Sequence, residues 1–149
     1  MSIVIRELEM NEKLLGMIEP LWTVVVAIDD TTGQPVSYYA FDLSSRDDPC
    51  PSCQMKCARS RLLWCLMERR GEGIFRDVWE WTKQQYGLER FYSTGAGSRG
   101  DAEVIWWRYA EDLAPGPSDY QNITYAQAED IARGFMTQVE RAVGYGATG

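Results

Sequence analysis

Hydrophobic and polar positions along this chain switch between two periods, and each switch marks an element. Thr23-Val24-Val25-Val26-Ala27-Ile28 is a continuous apolar, largely β-branched run, as expected of a strand covered on both faces. Asp29 to Gln34 supplies turn residues, and residues 36–43 return as a second strand of a hairpin. Ahead of the hairpin, residues 11–19 predict a short helix stopped by Pro20. From 52 to 70 the spacing predicts a helix with Cys53, Cys57, Ser60, Trp64 and Met67 on one stripe, broken by Gly71 to Gly73. A further helix over 74–86 aligns Ile74, Val78 and Trp81 and stops at Gly87. Residues 88–93 and 103–110 read as another antiparallel pair. The last helix opens on a capping box of Thr124 and Gln127. It lines up Ala128, Ile131, Phe135, Val139 and Ala142, and ends at Gly144.

Together these elements predict an α+β fold: a mainly antiparallel sheet of four to five strands with three or four helices packed on it, in one domain over residues 1–149. A chain of 149 residues buries about two-thirds of its unfolded surface, so neither a metal nor a disulfide is needed for folding. No apolar run approaches the ~20 residues that cross a bilayer, and the first residues lack a basic region followed by an apolar stretch. The expectation is a cytoplasmic protein, away from membranes, with its cysteines reduced.

Charge divides the chain. Residues 1–53 carry −6, residues 54–100 carry +4 and residues 101–149 carry −5, for a net −7. An acidic surface repels nucleic acid and suits a basic protein partner. The sequence holds no histidine, which removes the usual general base, the usual metal ligand and every Ser-His or Cys-His pair.

Four cysteines, Cys50, Cys53, Cys57 and Cys65, crowd into sixteen residues that run from the end of the acidic first segment into the basic one. Three explanations stand side by side. As metal ligands they would hold a structural zinc or an iron–sulfur cluster, with Lys56, Arg59 and Arg61 offsetting the anionic thiolates. On an unbroken helix, however, Cys65 lies about 12 Å from Cys57 along the axis, too far to share one ion. As a redox pair, Cys50 would attack from a helix N-terminus and Cys53 would resolve. As packing, the thiols are small hydrophobes on a helical stripe.

The run Cys50-Pro51-Ser52-Cys53 is locally similar to the active-site turn of thioredoxin-fold and glutaredoxin-like proteins. The resemblance covers about fifteen residues and implies thiol–disulfide exchange at that pair. That family also needs a cis-proline before a later strand, and Pro115 and Pro117 lead into Ser118-Asp119-Tyr120 with no clear strand.

Other motifs say less. Gly95-Ala96-Gly97-Ser98-Arg99-Gly100 spells a dinucleotide fingerprint but is followed by a predicted strand, which makes it a hairpin tip. The carboxylate pairs Asp29-Asp30, Asp47-Asp48 and Glu111-Asp112 fall in turns, where Asp is at home. The acidic ends, the aromatic content and the missing catalytic sets favour a small non-catalytic binding protein: an inhibitor, immunity-like or accessory factor that docks on a protein partner. The alternatives are a thiol–disulfide oxidoreductase using Cys50 and Cys53, and an iron–sulfur electron-transfer or assembly component.

Overall fold

The computed structural model describes residues 2–43, 57–88, 90–93 and 125–146. Five strands, β1 (Ile3–Glu7), β2 (Thr23–Asp29), β3 (Pro35–Leu43), β4 (Cys57–Cys65) and β5 (Arg90–Ser93), form one sheet in sequence order. Neighbours from β1 to β4 run antiparallel, and β5 runs parallel to β4. Three helices are described: α1 (Met10–Leu15), α2 (Ile74–Tyr86) and α3 (Tyr125–Val143). The expected α+β architecture is therefore observed.

Helices cover both faces of the sheet, and β2 shows why its sequence is apolar throughout. Val25 and Ala27 enter a core shared with Ile74, Phe75, Val78 and Trp79 of α2. Val24 and Val26 point the other way, to Ala132, Phe135, Met136 and Val139 of α3. Alternate side chains of one strand thus serve two separate cores. α1 lies on the α3 side, where Gln138 Nε2 donates to the Met17 carbonyl at 2.9 Å.

Two expectations need correction. The helix predicted over 52–70 is, among the described residues, strand β4 over Cys57–Cys65 followed by a 3-10 turn over Met67–Arg69. Leu62, Leu63, Trp64 and Cys65 are all buried, alternating between the two cores. This continuous apolar run is the same signal as in β2, and Arg59, Ser60 and Arg61 disguise it with helix-like spacing. The partner of the strand at 88–93 also differs: β5 pairs parallel with β4, and the predicted strand over 103–110 lies outside the described residues. β1 has no counterpart among the predicted elements. It is a short edge strand whose Ile3 and Ile5 are half-buried while Val4 is exposed.

Candidate functional site

The site begins at an irregularity in β4. Ala40 pairs with Leu62 but its neighbour Phe41 pairs with Ser60, so Arg61 is an extra residue bulged out of the ladder. Bulges bend a strand and sharpen its twist. Ser60 is also the last residue of β4 in the parallel pairing, which runs from Cys57↔Arg90 to Ser60↔Ser93. Among the described residues no strand pairs with β4 beyond that point on the side away from β3. The bulge at Arg61 directly follows the last β4–β5 pair among the described residues, Ser60↔Ser93.

The hydroxyls of Tyr39 and Ser60 lie 2.6 Å apart in the core at this bulge. Arg61 Nε donates to Asp42 at 2.7 Å on the β3 side. Beyond the bulge, the Leu66 amide donates to the Val36 carbonyl at 2.9 Å, toward β3. In an antiparallel ladder alternate residues direct both backbone groups to the same side. Cys65 and Leu63 therefore direct theirs to the open edge. Arg70 confirms this by donating its Nε to the Cys65 carbonyl at 2.9 Å from that side.

The chain then turns through a 3-10 segment, Met67–Arg69, into Arg70-Gly71-Glu72-Gly73 and starts α2. Gly71 and Gly73 have φ of 91° and 78°, a region that only glycine enters at no cost. Gly71 has no atom within 4 Å of where a Cβ would stand. At Gly73 the same position is 2.8 Å from Arg76 Nη2. Gly73, the N-cap of α2, offers no side-chain cap, so the first-turn amides of Ile74 and Arg76 receive no help from it. Arg69 anchors the turn, its Nε donating to Glu72 at 2.9 Å and its Nη1 lying 3.2 Å from Asp29 at the end of β2. Among the described residues, the edge of β4 at Leu63 and Cys65 has no strand partner and leads to the N-terminus of α2, where Gly73 gives no side-chain cap and Arg69, Arg70 and Arg76 stand nearby in sequence.

The cysteines do not come together there. Cys50 and Cys53 lie outside the described residues, as do Asp47-Asp48, residues 95–100, Glu111-Asp112, Pro115 and Pro117. Cys57 and Cys65 stand at opposite ends of β4, roughly 25 Å apart at strand spacing, so one ion cannot take both. Cys65 is a free thiol buried against α2, and burial pushes its pKa up, opposite to what an attacking thiolate needs. No group of three or more metal-ligating side chains occurs among the described residues. The zinc or iron–sulfur expectation is corrected on these grounds. Asp29, expected in a solvated turn, is instead buried against Arg69.

No protein-family profile matches the sequence, and no curated protein matches it as a relative. Solved structures do match. One is a ribosomal-protein-alanine N-acetyltransferase from Brucella melitensis biovar Abortus 2308, with a TM-score of 0.54 at 12% identity over 78% of this chain and 93% of that one. Another is an integron cassette protein from the mobile metagenome of V. cholerae, with a TM-score of 0.52 at 11% identity over 89% and 99% of the two chains. The shared feature is the fold. In the Brucella protein that fold carries an enzyme, and this overturns the expectation of a non-catalytic inhibitor, immunity-like or accessory factor. The iron–sulfur alternative falls with the metal reading, and the Cys50–Cys53 pair of the oxidoreductase alternative lies outside the described residues. No helix among the described residues is long and apolar enough to cross a membrane.

What sequence reasoning missed is the Arg70-Gly71-Glu72-Gly73 turn. Two glycines between a buried apolar run and an amphipathic helix, beside three arginines, were the available signal.

Proposed function

We propose that this chain is an acyltransferase that moves an acyl group from coenzyme A to the amine of a basic acceptor, acting in the cytoplasm. The observation that carries the reading is the bulge at Arg61 in β4, beyond which the Leu63–Cys65 edge, without a strand partner among the described residues, leads to the N-terminus of α2 behind Gly71 and Gly73. The fold likeness to an N-acetyltransferase supports the same reaction class.

The residues present fit coenzyme A. A phosphate needs backbone amides, positive charge and close approach. The amides of Ile74 and Arg76, the arginines of the turn and the side-chain-free space at Gly71 supply these in turn. The carrier's long arm contains amides, and the Leu63 and Cys65 backbone edge would orient them as a neighbouring strand would. When bound, coenzyme A supplies a thioester already activated for attack. The chain therefore has no need of a nucleophile of its own, and the missing histidine loses its force as evidence against catalysis. What remains for the protein is to hold donor and amine together, which can supply several kcal/mol of the barrier. The net charge of −7 favours a cationic acceptor, a basic protein partner included.

The test is release of free coenzyme A thiol from acetyl-CoA in the presence of primary amines, among them peptides with a free N-terminal alanine, lysine and polyamines. Amine-dependent release is expected. Gly71→Val, which forces a β-branched residue to positive φ where a phosphate would approach, should raise the KM for acetyl-CoA about tenfold or more. No release with any amine, together with no heat of coenzyme A binding, would sink the reading.

A further inference from the structure

The short helix α1 is inside out. At about 100° per residue, Lys13 and Gly16 fall on one arc of it, and Met10, Asn11, Leu14 and Leu15 fall on the opposite arc. The arc with the lysine is the buried one. Lys13 is 7% exposed, whereas Met10, Leu14 and Leu15 are 52%, 60% and 65% exposed. An amphipathic helix that served only the core would reverse this. The buried lysine instead builds a frame. Its Nζ donates to the carbonyls of Pro20 and Trp22, each at 3.0 Å, and so ties the chain after α1 back to the helix. From α3, Gln138 Nε2 donates to the Gly16 and Met17 carbonyls at 3.4 and 2.9 Å. Met17 is 75% exposed and has φ of 56°, the one residue other than glycine at positive φ among the described residues. A methionine is strained there, and its side chain gains nothing from the core.

We propose that Met10, Leu14, Leu15 and Met17 form a docking surface for a basic amphipathic helix of a protein partner. Large apolar side chains exposed singly are ordinary, but three on one arc of a six-residue helix, continued by Met17, mark a contact. The Lys13 and Gln138 clasps hold this surface in place before any partner arrives, which lowers the ordering cost of binding. The surrounding charge selects the partner. Residues 6–21 carry Arg6 and Lys13 against Glu7, Glu9, Glu12 and Glu19, a net −2. Both cations are engaged within the fold, Lys13 by the two carbonyls and Arg6 by Glu12 at 2.7 and 2.8 Å. Glu9 and Glu19 are exposed and form no ion pair among the described residues. The neighbouring turn of α3 adds Glu140 and Arg141, which cancel. Lysines or arginines flanking an apolar stripe complement such a surface, whereas a second copy of this chain would set carboxylate against carboxylate. The inference does not rest on the transfer reading, because α1 lies on the α3 side of the sheet and α2 on the other.

The experiment is a fluorescence-anisotropy titration of a labelled helical peptide of about 14 residues, with leucines at i, i+3, i+4 and i+7 and lysines elsewhere. One control peptide replaces every lysine by glutamate, and the other replaces every leucine by alanine. Saturable binding of the leucine–lysine peptide alone is expected. Leu14→Gln and Leu15→Gln together should weaken it about tenfold or more, with the thermal midpoint kept because both positions are exposed. Met17→Asn puts a residue at home at positive φ in that position. It should fold at least as stably as wild type and bind the peptide about threefold more weakly. No saturable binding, or equal binding of either control peptide, overturns the surface. So does undiminished binding by the double variant, or by Met17→Asn should the double variant unfold. A wild type that dimerises at micromolar concentration while the double variant stays monomeric assigns the patch to a second copy. Binding to phosphatidylcholine vesicles that the double variant loses assigns it to a membrane. Either result overturns the partner.

Discussion

The two faces of the sheet hold their helices in different ways. On one face, α3 is tied by hydrogen bonds between side chains and backbone. Tyr38 donates its hydroxyl to the Ala132 carbonyl at 2.6 Å, and Gln138 reaches the end of α1. Phe135 sits between Trp22 and Tyr38, with ring centres 5.8 and 4.8 Å away. On the other face, α2 is held by aromatic contact from its first turn onward. Tyr39 stacks on Phe41 at 4.8 Å and meets Phe75 and Trp79 edge-on at 5.7 and 6.0 Å. The N-terminus of α2 is held by burial of Ile74 and Phe75 and, through its preceding turn, by the Arg69 ion pairs. One helix is fixed by hydrogen bonds to backbone, whereas the other is held by apolar and aromatic packing from Ile74 and Phe75 at its start to Tyr86 at its end, with no side-chain cap from Gly73. Anchoring a helix without capping it is how a fold can keep a helix N-terminus open for a ligand.

The largest expected effect is on the α2 face. Trp79 is 1% exposed, and Trp79→Ala should cost about 4 kcal/mol in urea unfolding through lost contact and a residual cavity. A loss under about 1 kcal/mol would mean that the aromatic cluster does not hold α2, and the contrast between the faces would break.

Next in size is a pair of glycines on the α3 face. A Cβ on Gly16 would stand 2.5 Å from the Gln138 carbonyl oxygen and 3.0 Å from the Ala142 Cβ. Gly16→Ala must push α1 away from α3 and should cost about 2 kcal/mol. Gly134, also on α3, has no atom within 4 Å of its would-be Cβ, and its helix is continuous. Gly134→Ala should therefore stabilise by up to about 1 kcal/mol. If both substitutions shift the thermal midpoint in the same direction, close approach is not what fixes α3.

Most of the scaffold was legible in the sequence, and most of the site was not. The helix over 74–86 was bounded by its glycines, and the β2–β3 hairpin by its run of turn residues; both come from local signals. The end of the last helix at Gly144 was equally local. β4 was misread because its bulge at Arg61 shifts the two-residue alternation, leaving polar Arg59, Ser60 and Arg61 at spacings that also suit a helix. The open edge had no local signal at all. Among the described residues it begins where the pairing of β5 with β4 ends, a contact made between residues some thirty apart in the chain. Gly71 and Gly73 were visible but read as helix breakers, since their meaning depends on a strand preceding them. The cysteines drew attention by proximity in sequence, and a strand turns that proximity into distance.

The smallest effect tests the anchor of the α2 turn. The Thr31 amide, donating to Asp29 at 2.9 Å, is the main cause holding the Asp29 carboxyl below the usual carboxylate range. Arg69 adds to it, and desolvation opposes both. A carboxylate depressed in the folded state contributes stability above its unfolded pKa of about 3.9, and that contribution fades as pH falls through the lower folded value. Asp29→Asn keeps an oxygen for the Thr31 amide and removes only the charge. Wild type should exceed the variant in stability at pH 7 and down to about pH 5, with the gap closing below about pH 4 as Asp29 takes up its proton. The gap should be smaller than that of Gly16→Ala, and thermal unfolding across this pH range measures it. A gap independent of pH would show that Arg69 does not use the charge of Asp29, and the turn before α2 would then be held by Glu72 alone or by backbone shape.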